Sequence, residues 1–122
     1  MTALAASNYI AAVLTLYLDL PETPLRVTSQ DQWLARKLHE QAVSLTLVES
    51  ALLLGSLRRL LRPSDLPPLA PIRSLAYFQP VIAELQQTPL PERYPDYLRL
   101  KLRIVASKSP AAVQKNTFSD DR

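Results

Sequence analysis

The sequence predicts an all-α fold: a compact bundle of four to five helices with a helix-turn-helix-like pair, a proline-rich connector and a disordered C-terminal tail. Three observations carry that expectation. Apolar residues recur at three- and four-residue intervals through most of the chain, the period of helices with one buried face. Most of the eleven prolines fall at 21 and 24, at 63 to 71 and at 89 to 95, dividing the chain into helix-sized pieces. No Asn-Gly or Asp-Gly pair offers a tight hairpin turn. A chain of 122 residues suits one domain with one core, placed at residues 1–106, and a tail at 107–122.

The first ionisable side chain is Asp19. Ser7 reads as the N-cap of a buried helix over residues 8–20, with Tyr9, Ile10, Val13, Leu14, Tyr17 and Leu20 as its core face. This stretch lacks the basic start of a secretory signal, and Ser7, Asn8 and Thr15 interrupt it. It also falls short of the ~20 residues of a membrane span. A cytoplasmic protein without a membrane partner is therefore expected. Pro21 and Pro24 end the helix, and a second begins near Ser29, where Ser29 and Gln32 have capping-box spacing. In it Trp33 is placed as a core anchor, Arg36, Lys37 and Glu40 face water, and His39 packs or caps.

The stretch from Val43 to Arg62, VSLTLVESALLLGSLRRLLR, is apolar around most of a helical circumference, which marks a central helix packed on several sides. Ser44 caps its start, or Thr46 does so in a capping box with Glu49. Its Gly55 costs about 1 kcal/mol relative to alanine, which close approach of another helix would explain. Arg58, Arg59 and Arg62 suit the negative end of the helix dipole, and Pro63 stops it.

Residues 63–71, PSDLPPLAP, hold four prolines and read as a stiff extended connector pinned to the domain by Leu66 and Leu69. Pro71 suits the first turn of a fourth helix, in which Ile72, Leu75, Ala76, Ile82 and Leu85 share a face. Pro80 predicts a kink or break near Tyr77–Gln79, or two short helices meeting there. Tyr77 and Phe78 are read as core. Residues 96–105 fit two patterns. As a helix, Tyr97, Leu98, Leu102 and Val105 pack inward; as a strand, Arg99, Lys101 and Arg103 form a basic stripe. Helix is favoured, because no turn supplies a strand partner.

The absences exclude many functions. Without cysteine there is no disulfide or thiolate metal site, and a single histidine argues against an imidazole metal site or base relay. A single glycine excludes glycine-rich phosphate loops. No spacing pairs the acidic residues of the second half. A non-enzyme without catalytic residues, metal or cofactor is expected. Charge is unevenly spread: residues 58–108 carry nine basic and four acidic side chains, residues 1–57 three basic and five acidic. Such asymmetry can steer a polyanion to one side of a protein.

The segment Leu38–Leu52, LHEQAVSLTLVESAL, resembles the middle of a bacterial helix-turn-helix, with Ala42, Val43, Ser44, Val48, Ala51 and Leu52 at the turn and anchor positions. Ala42 stands where most such motifs have glycine, because the turn wants a left-handed conformation. Together with PIRSLAYFQPVIAE at 71–84, residues 29–87 are similar to segments of replication-initiation and replisome-organiser proteins of bacterial plasmids and mobile elements. That resemblance implies DNA binding or assembly on DNA. It would put Ser44, Thr46, Leu47, Glu49 and Ser50 at a major groove, yet none is Arg or Lys, the usual base readers. Phosphate contact is therefore assigned to the basic half, at Arg58, Arg59, Arg62, Arg73, Arg99, Lys101 and Arg103. The expected function is a non-catalytic nucleic-acid-binding accessory protein, a small subunit of a bacterial mobile-element or nucleoprotein complex. The alternative is a protein-interaction adaptor or oligomerisation module without nucleic-acid contact, its apolar helices 1 and 3 completing a partner's core.

Overall fold

The computed structural model describes residues 5–107, and they are all-helical, with no strand among them. In chain order come α1 (Ala6–Leu18), α2 (Ser29–Glu40), α3 (Leu45–Leu60), a 3-10 turn (Leu75–Phe78), α4 (Gln79–Gln87) and α5 (Tyr94–Ala106). The expected disordered tail lies, from residue 108 onward, outside the described residues. Residues 96–105 are helix, and their start is set earlier than expected, with Pro95 in the first turn where its missing N–H costs nothing.

α1 begins at Ala6 behind an extended Ala5 rather than behind Ser7, which lies inside the first turn, so no side chain caps this end. Its buried stripe is the expected one, Tyr9, Val13 and Tyr17, continued by Leu20 beyond the helix. The start of α2 is capped one residue earlier than the Ser29–Gln32 spacing implied. Thr28 Oγ1 accepts from the Asp31 N–H at 3.2 Å, and Asp31 Oδ2 accepts from the Thr28 N–H at 2.9 Å. An acid at that position also faces the positive end of the helix dipole, an advantage Gln32 cannot offer. The buried face of α2 is Asp31, Leu34, Ala35 and Leu38, one helical stripe. Trp33 falls outside that stripe. It is exposed, with the Lys37 ammonium 5.5 Å from its ring centre, and is not the core anchor that its size implied.

α3 is the central element: α5, α4 and α1 all pack on it. Ser44 is its N-cap, accepting from the Leu47 N–H at 3.1 Å. Thr46 does not cap, and Glu49 is turned to Arg99 instead of back to the helix start. Eight residues of this helix are buried, from Val48 to Leu57, and Leu61 just beyond it is exposed. Gly55 faces the Phe78 ring so closely that a Cβ would lie 2.7 Å from Phe78 Cδ1. The glycine thus marks a close approach, by an aromatic ring at the end of the 3-10 turn. Phe78 is fully buried and meets Tyr17 of α1 edge-on, with ring centres 6.2 Å apart.

Between α3 and the 3-10 turn the chain has no regular structure, and every residue from 63 to 71 is exposed. Leu66 and Leu69 do not pin it. Backbone carbonyls do: Arg62 donates to the Pro67 carbonyl and Arg59 Nη2 donates to the Ala70 carbonyl, the latter at 2.9 Å. Pro71 does not start a helix, because helical backbone resumes only at Leu75, whose N–H donates to buried Asp31 Oδ1 at 2.9 Å. Asp31 thereby satisfies backbone donors at the starts of two elements, which is how a buried carboxyl group is tolerated. The break expected near Tyr77–Gln79 is present, as 3-10 backbone giving way to α4 with Pro80 in its first turn.

Two outcomes follow for stability. Gly55→Ala gains about 1 kcal/mol of helix propensity but drives a methyl into a buried ring, which costs about 1–3 kcal/mol. Urea unfolding is expected to show a net loss, larger for Gly55→Val and partly recovered when Phe78→Leu is added, the mark of coupled sites. The second outcome concerns pH. Burial pushes the Tyr9 hydroxyl up to about 12, and burial with the nearby Asp31 charge pushes Tyr17 up to about 12. Their folded pKa values lie above those of the unfolded chain, so their contribution is whole below pH ~10 and lost as pH rises towards ~12. Unfolding free energy is expected to fall across that window and to fall less steeply in Tyr17→Phe. At neutral pH Tyr17→Phe is expected to be neutral or stabilising, because the Tyr17 hydroxyl is buried without a hydrogen-bond partner.

Candidate interaction surface

The seven cations nominated from sequence separate into two groups once the fold is formed. Arg59 belongs to the architecture. Its side chain is 5% exposed, and its Nε and Nη2 donate to Glu22 Oε1 at 2.9 and 2.7 Å. Nη1 donates to the Tyr77 hydroxyl at 3.3 Å, and the guanidinium lies over the Tyr77 ring at 5.2 Å. Burial works against its charge, but the hydrogen bonds it donates to Tyr77 and Glu22 outweigh it and hold its pKa above the ordinary arginine value. With Ala70 included, one guanidinium ties together the α1–α2 loop, the connector and the 3-10 turn. Glu22 has a left-handed backbone, φ 68°, costly for a side chain with Cβ, and this pairing helps to hold it there.

Arg58, Arg62 and Arg99 are also engaged. Arg58 makes a two-pronged pair with Glu84 at 2.8 and 2.7 Å, and that hydrogen bonding lowers the Glu84 pKa. Arg62 holds the Pro67 carbonyl, and Arg99 joins Glu49 of α3 and Asp96 of its own helix. Arg73, Lys101 and Arg103 have no ion-pair partner among the described residues, and Arg73 and Arg103 are exposed. Sequence separation hid this division, because the partners of Arg58, Arg59 and Arg99 stand 26, 37 and 50 residues away.

The face of α3 that a base-reading helix would offer is largely covered. Ser50 is buried and donates to the Thr46 carbonyl at 2.9 Å, Leu47 is half-buried, and Glu49 is held by Arg99. The proline-rich loop between α4 and α5 lies beside the same helix start, so Pro89, Pro91 and Pro95 share a groove with Ser44 and Thr46. The turn between α2 and α3 does adopt the expected left-handed backbone, with φ 59° at Ala42.

The outer side of α5 carries a feature that none of the seven nominated cations marks. The helix buries Leu98 and Leu102 against α3 and turns Tyr97, Leu100 and Ile104 to solvent, 50%, 53% and 48% exposed. Tyr97 was expected inside. At 100° per residue the three outer side chains share an arc of about 60° opposite the buried stripe. Arg93 stands one turn before Tyr97, while Lys101 and Arg103 flank the stripe on either side. The signal is present in the sequence, since DYLRLKLRIV is apolar on both sides of a helical wheel.

No family model, curated protein or solved structure matches this chain. Among the described residues no helix is long and apolar enough to cross a membrane.

The two groups of cations respond differently to truncation. Arg59→Ala strands Glu22 and empties a nearly buried site, and thermal or urea unfolding is expected to show a loss of about 3 kcal/mol. Arg73→Ala, Lys101→Ala and Arg103→Ala are expected to stay within about 0.5 kcal/mol of the parent.

Proposed function

We propose that this protein is a non-catalytic interaction module, an adaptor whose outer α5 face receives an amphipathic, acid-flanked helix of a partner protein. The observation that carries this reading is the Tyr97, Leu100 and Ile104 stripe, half-exposed on a helix whose opposite side is already packed. Single exposed apolar residues need no explanation, but three adjoining ones on one helix face form a patch. Spacing of i, i+3 and i+7 matches the anchors by which helices engage one another. Arg93, Lys101 and Arg103 around it favour acidic flanks and disfavour a basic partner. We place the partner surface on α5 rather than on α1 and α3 because most of the apolar face of α3 is already buried. Helix α3 is consumed by its own domain, so it has no core face to lend.

A second reading, a nucleic-acid accessory protein of mobile-element kind, draws support from the unpaired cations beside exposed Tyr97, where phosphate contact and base stacking could combine. It loses Arg58, Arg59, Arg62 and Arg99 as free phosphate ligands, and Leu100 and Ile104 have no part in it.

The deciding experiment places a photocrosslinking phenylalanine in cells at Leu100 or Ile104, with exposed Gln86 of α4 as control. The adaptor reading expects one protein captured at both α5 positions and not at 86. Purified, that protein binds the parent chain and loses at least tenfold in affinity for Leu100→Glu with Ile104→Glu, whose circular-dichroism melt is unchanged. No capture overturns the adaptor reading. If the chain instead binds DNA or RNA with a steep salt slope, lost in Lys101→Ala with Arg103→Ala, the nucleic-acid reading replaces it.

A further inference from the structure

A second surface, sharing no residue with the α5 face, lies in the connector. We infer that residues 66–73, LPPLAPIR, are a ready-made docking ligand for a partner domain with an aromatic-lined groove and an acidic rim, the kind that reads extended proline-rich chains. Four observations converge on it.

The first is backbone conformation. Pro67, Pro68 and Pro71 each have φ fixed near −65°, and the residue before each proline is driven into extended backbone. Leu66, Pro67 and Ala70 are those residues, so nearly every position from 66 to 71 is restricted to the left-handed, three-residue-per-turn proline helix. No α-helix or 3-10 turn begins until Leu75.

The second is exposure. A connector that merely crosses a surface would bury its leucines, yet Leu66 and Leu69 are exposed, as are Pro67, Pro68, Ala70 and Pro71. The chain enters the core only at Ile72, which is 3% exposed. With a period of three, Leu66, Leu69 and Ile72 share one edge, of which only Ile72 is buried. The pairs Pro67-Pro68 and Ala70-Pro71 then occupy the other two edges.

The third is charge. Arg73 follows two residues after Pro71, on the edge of Pro67 and Ala70. It is exposed and has no ion-pair partner among the described residues. The resulting pattern is Pro-x-x-Pro-x-Arg: two pairs that each end in proline to fill slots between aromatic rings, and a guanidinium to meet a carboxylate at their end. The neighbouring arginines cannot serve that role, because Arg59 and Arg62 are turned back on the connector itself.

The fourth is tethering. Arg62 on the Pro67 carbonyl and Arg59 on the Ala70 carbonyl fix the segment at two points three residues apart, one turn of such a helix. Among the described residues, no donor reaches the carbonyls of Pro68 and Leu69, which leaves them to the hydrogen-bond donors of a groove. A segment already extended and held loses little conformational freedom on binding, which favours affinity.

The test uses the full chain, isotopically labelled, and a purified SH3 domain of Pro-x-x-Pro-x-Arg specificity as the probe. Titration followed by amide and proline-ring NMR shifts is expected to move residues 66–73 and leave α5 unmoved. Arg73→Glu is expected to weaken binding at least tenfold, and Pro68→Ala with Pro71→Ala likewise, while Leu100→Glu with Ile104→Glu leaves it unchanged. That last variant separates this surface from the α5 reading, so either can fail alone. Absence of shifts in the parent chain at saturating probe overturns the inference. So does binding that survives both Arg73→Glu and the proline pair, because the contact would then lie elsewhere.

Discussion

The bare Cα of Gly55 under the ring of Phe78 is the contact on which the arrangement of this bundle turns. A fully buried ring lies closer to α3 than any Cβ at that position would allow, and it carries the 3-10 turn and the first residues of α4 with it. Tyr17 meets the same ring edge-on, joining α1 to the stack. Four elements are positioned by one residue without a side chain. The intrinsic cost of glycine in a helix, about 1 kcal/mol, is small beside the burial of an aromatic ring at native packing density.

Polar groups complete what the ring begins. Asp31 accepts from the backbone at the start of α2 and again at the start of the 3-10 turn, so the two elements cannot separate without exposing unpaired donors. Arg59, near the C-terminal end of α3, donates to Glu22, Ala70 and Tyr77 and gathers them around one planar group. A lysine there would lose the fork geometry that lets three partners be met at once. The positive charge of the second half of the chain is thus partly internal mortar, and formal charge counts overstate what it offers to a ligand.

How much of this was legible in the sequence depends on the range of the interaction. Helical periods and proline punctuation are local, and they located α1, α2, α3 and α5 to within a few residues, as well as the break before Pro80, but they started the fourth helix at Pro71, where helical backbone resumes only at Leu75. Gly55 announced a close contact but not with what, since Phe78 is 23 positions away. Trp33 was misplaced because size was weighed above register: Asp31, Leu34, Ala35 and Leu38 define the inward stripe, and residue 33 stands outside it. Leu66 and Leu69 were misplaced for the opposite reason, as a leucine beside prolines reads as an anchor until carbonyl-bound arginines are seen to do the anchoring. The candidate site suffered most. Four of its seven cations found partners elsewhere in the chain, and only three-dimensional proximity reveals those pairings.

The same long-range pairings decide what the surface can be. An arginine with a fixed carboxylate partner gives up that pairing before it can hold a phosphate, so polyanion binding would compete with the fold at Arg59 and with surface pairs at Arg58 and Arg99. Apolar side chains face no such competition. Tyr97, Leu100 and Ile104 are exposed because, among the described residues, α5 packs substantially on one element, α3, and a helix with one neighbour can satisfy only one side. A sequence apolar on both sides of that helix therefore leaves hydrophobic area in water. Covering it gains free energy in proportion to the area removed from water, without opening an existing ion pair. That asymmetry, pairs already made among the cations and burial still incomplete on α5, is what supports the proposal of a protein partner over a nucleic acid.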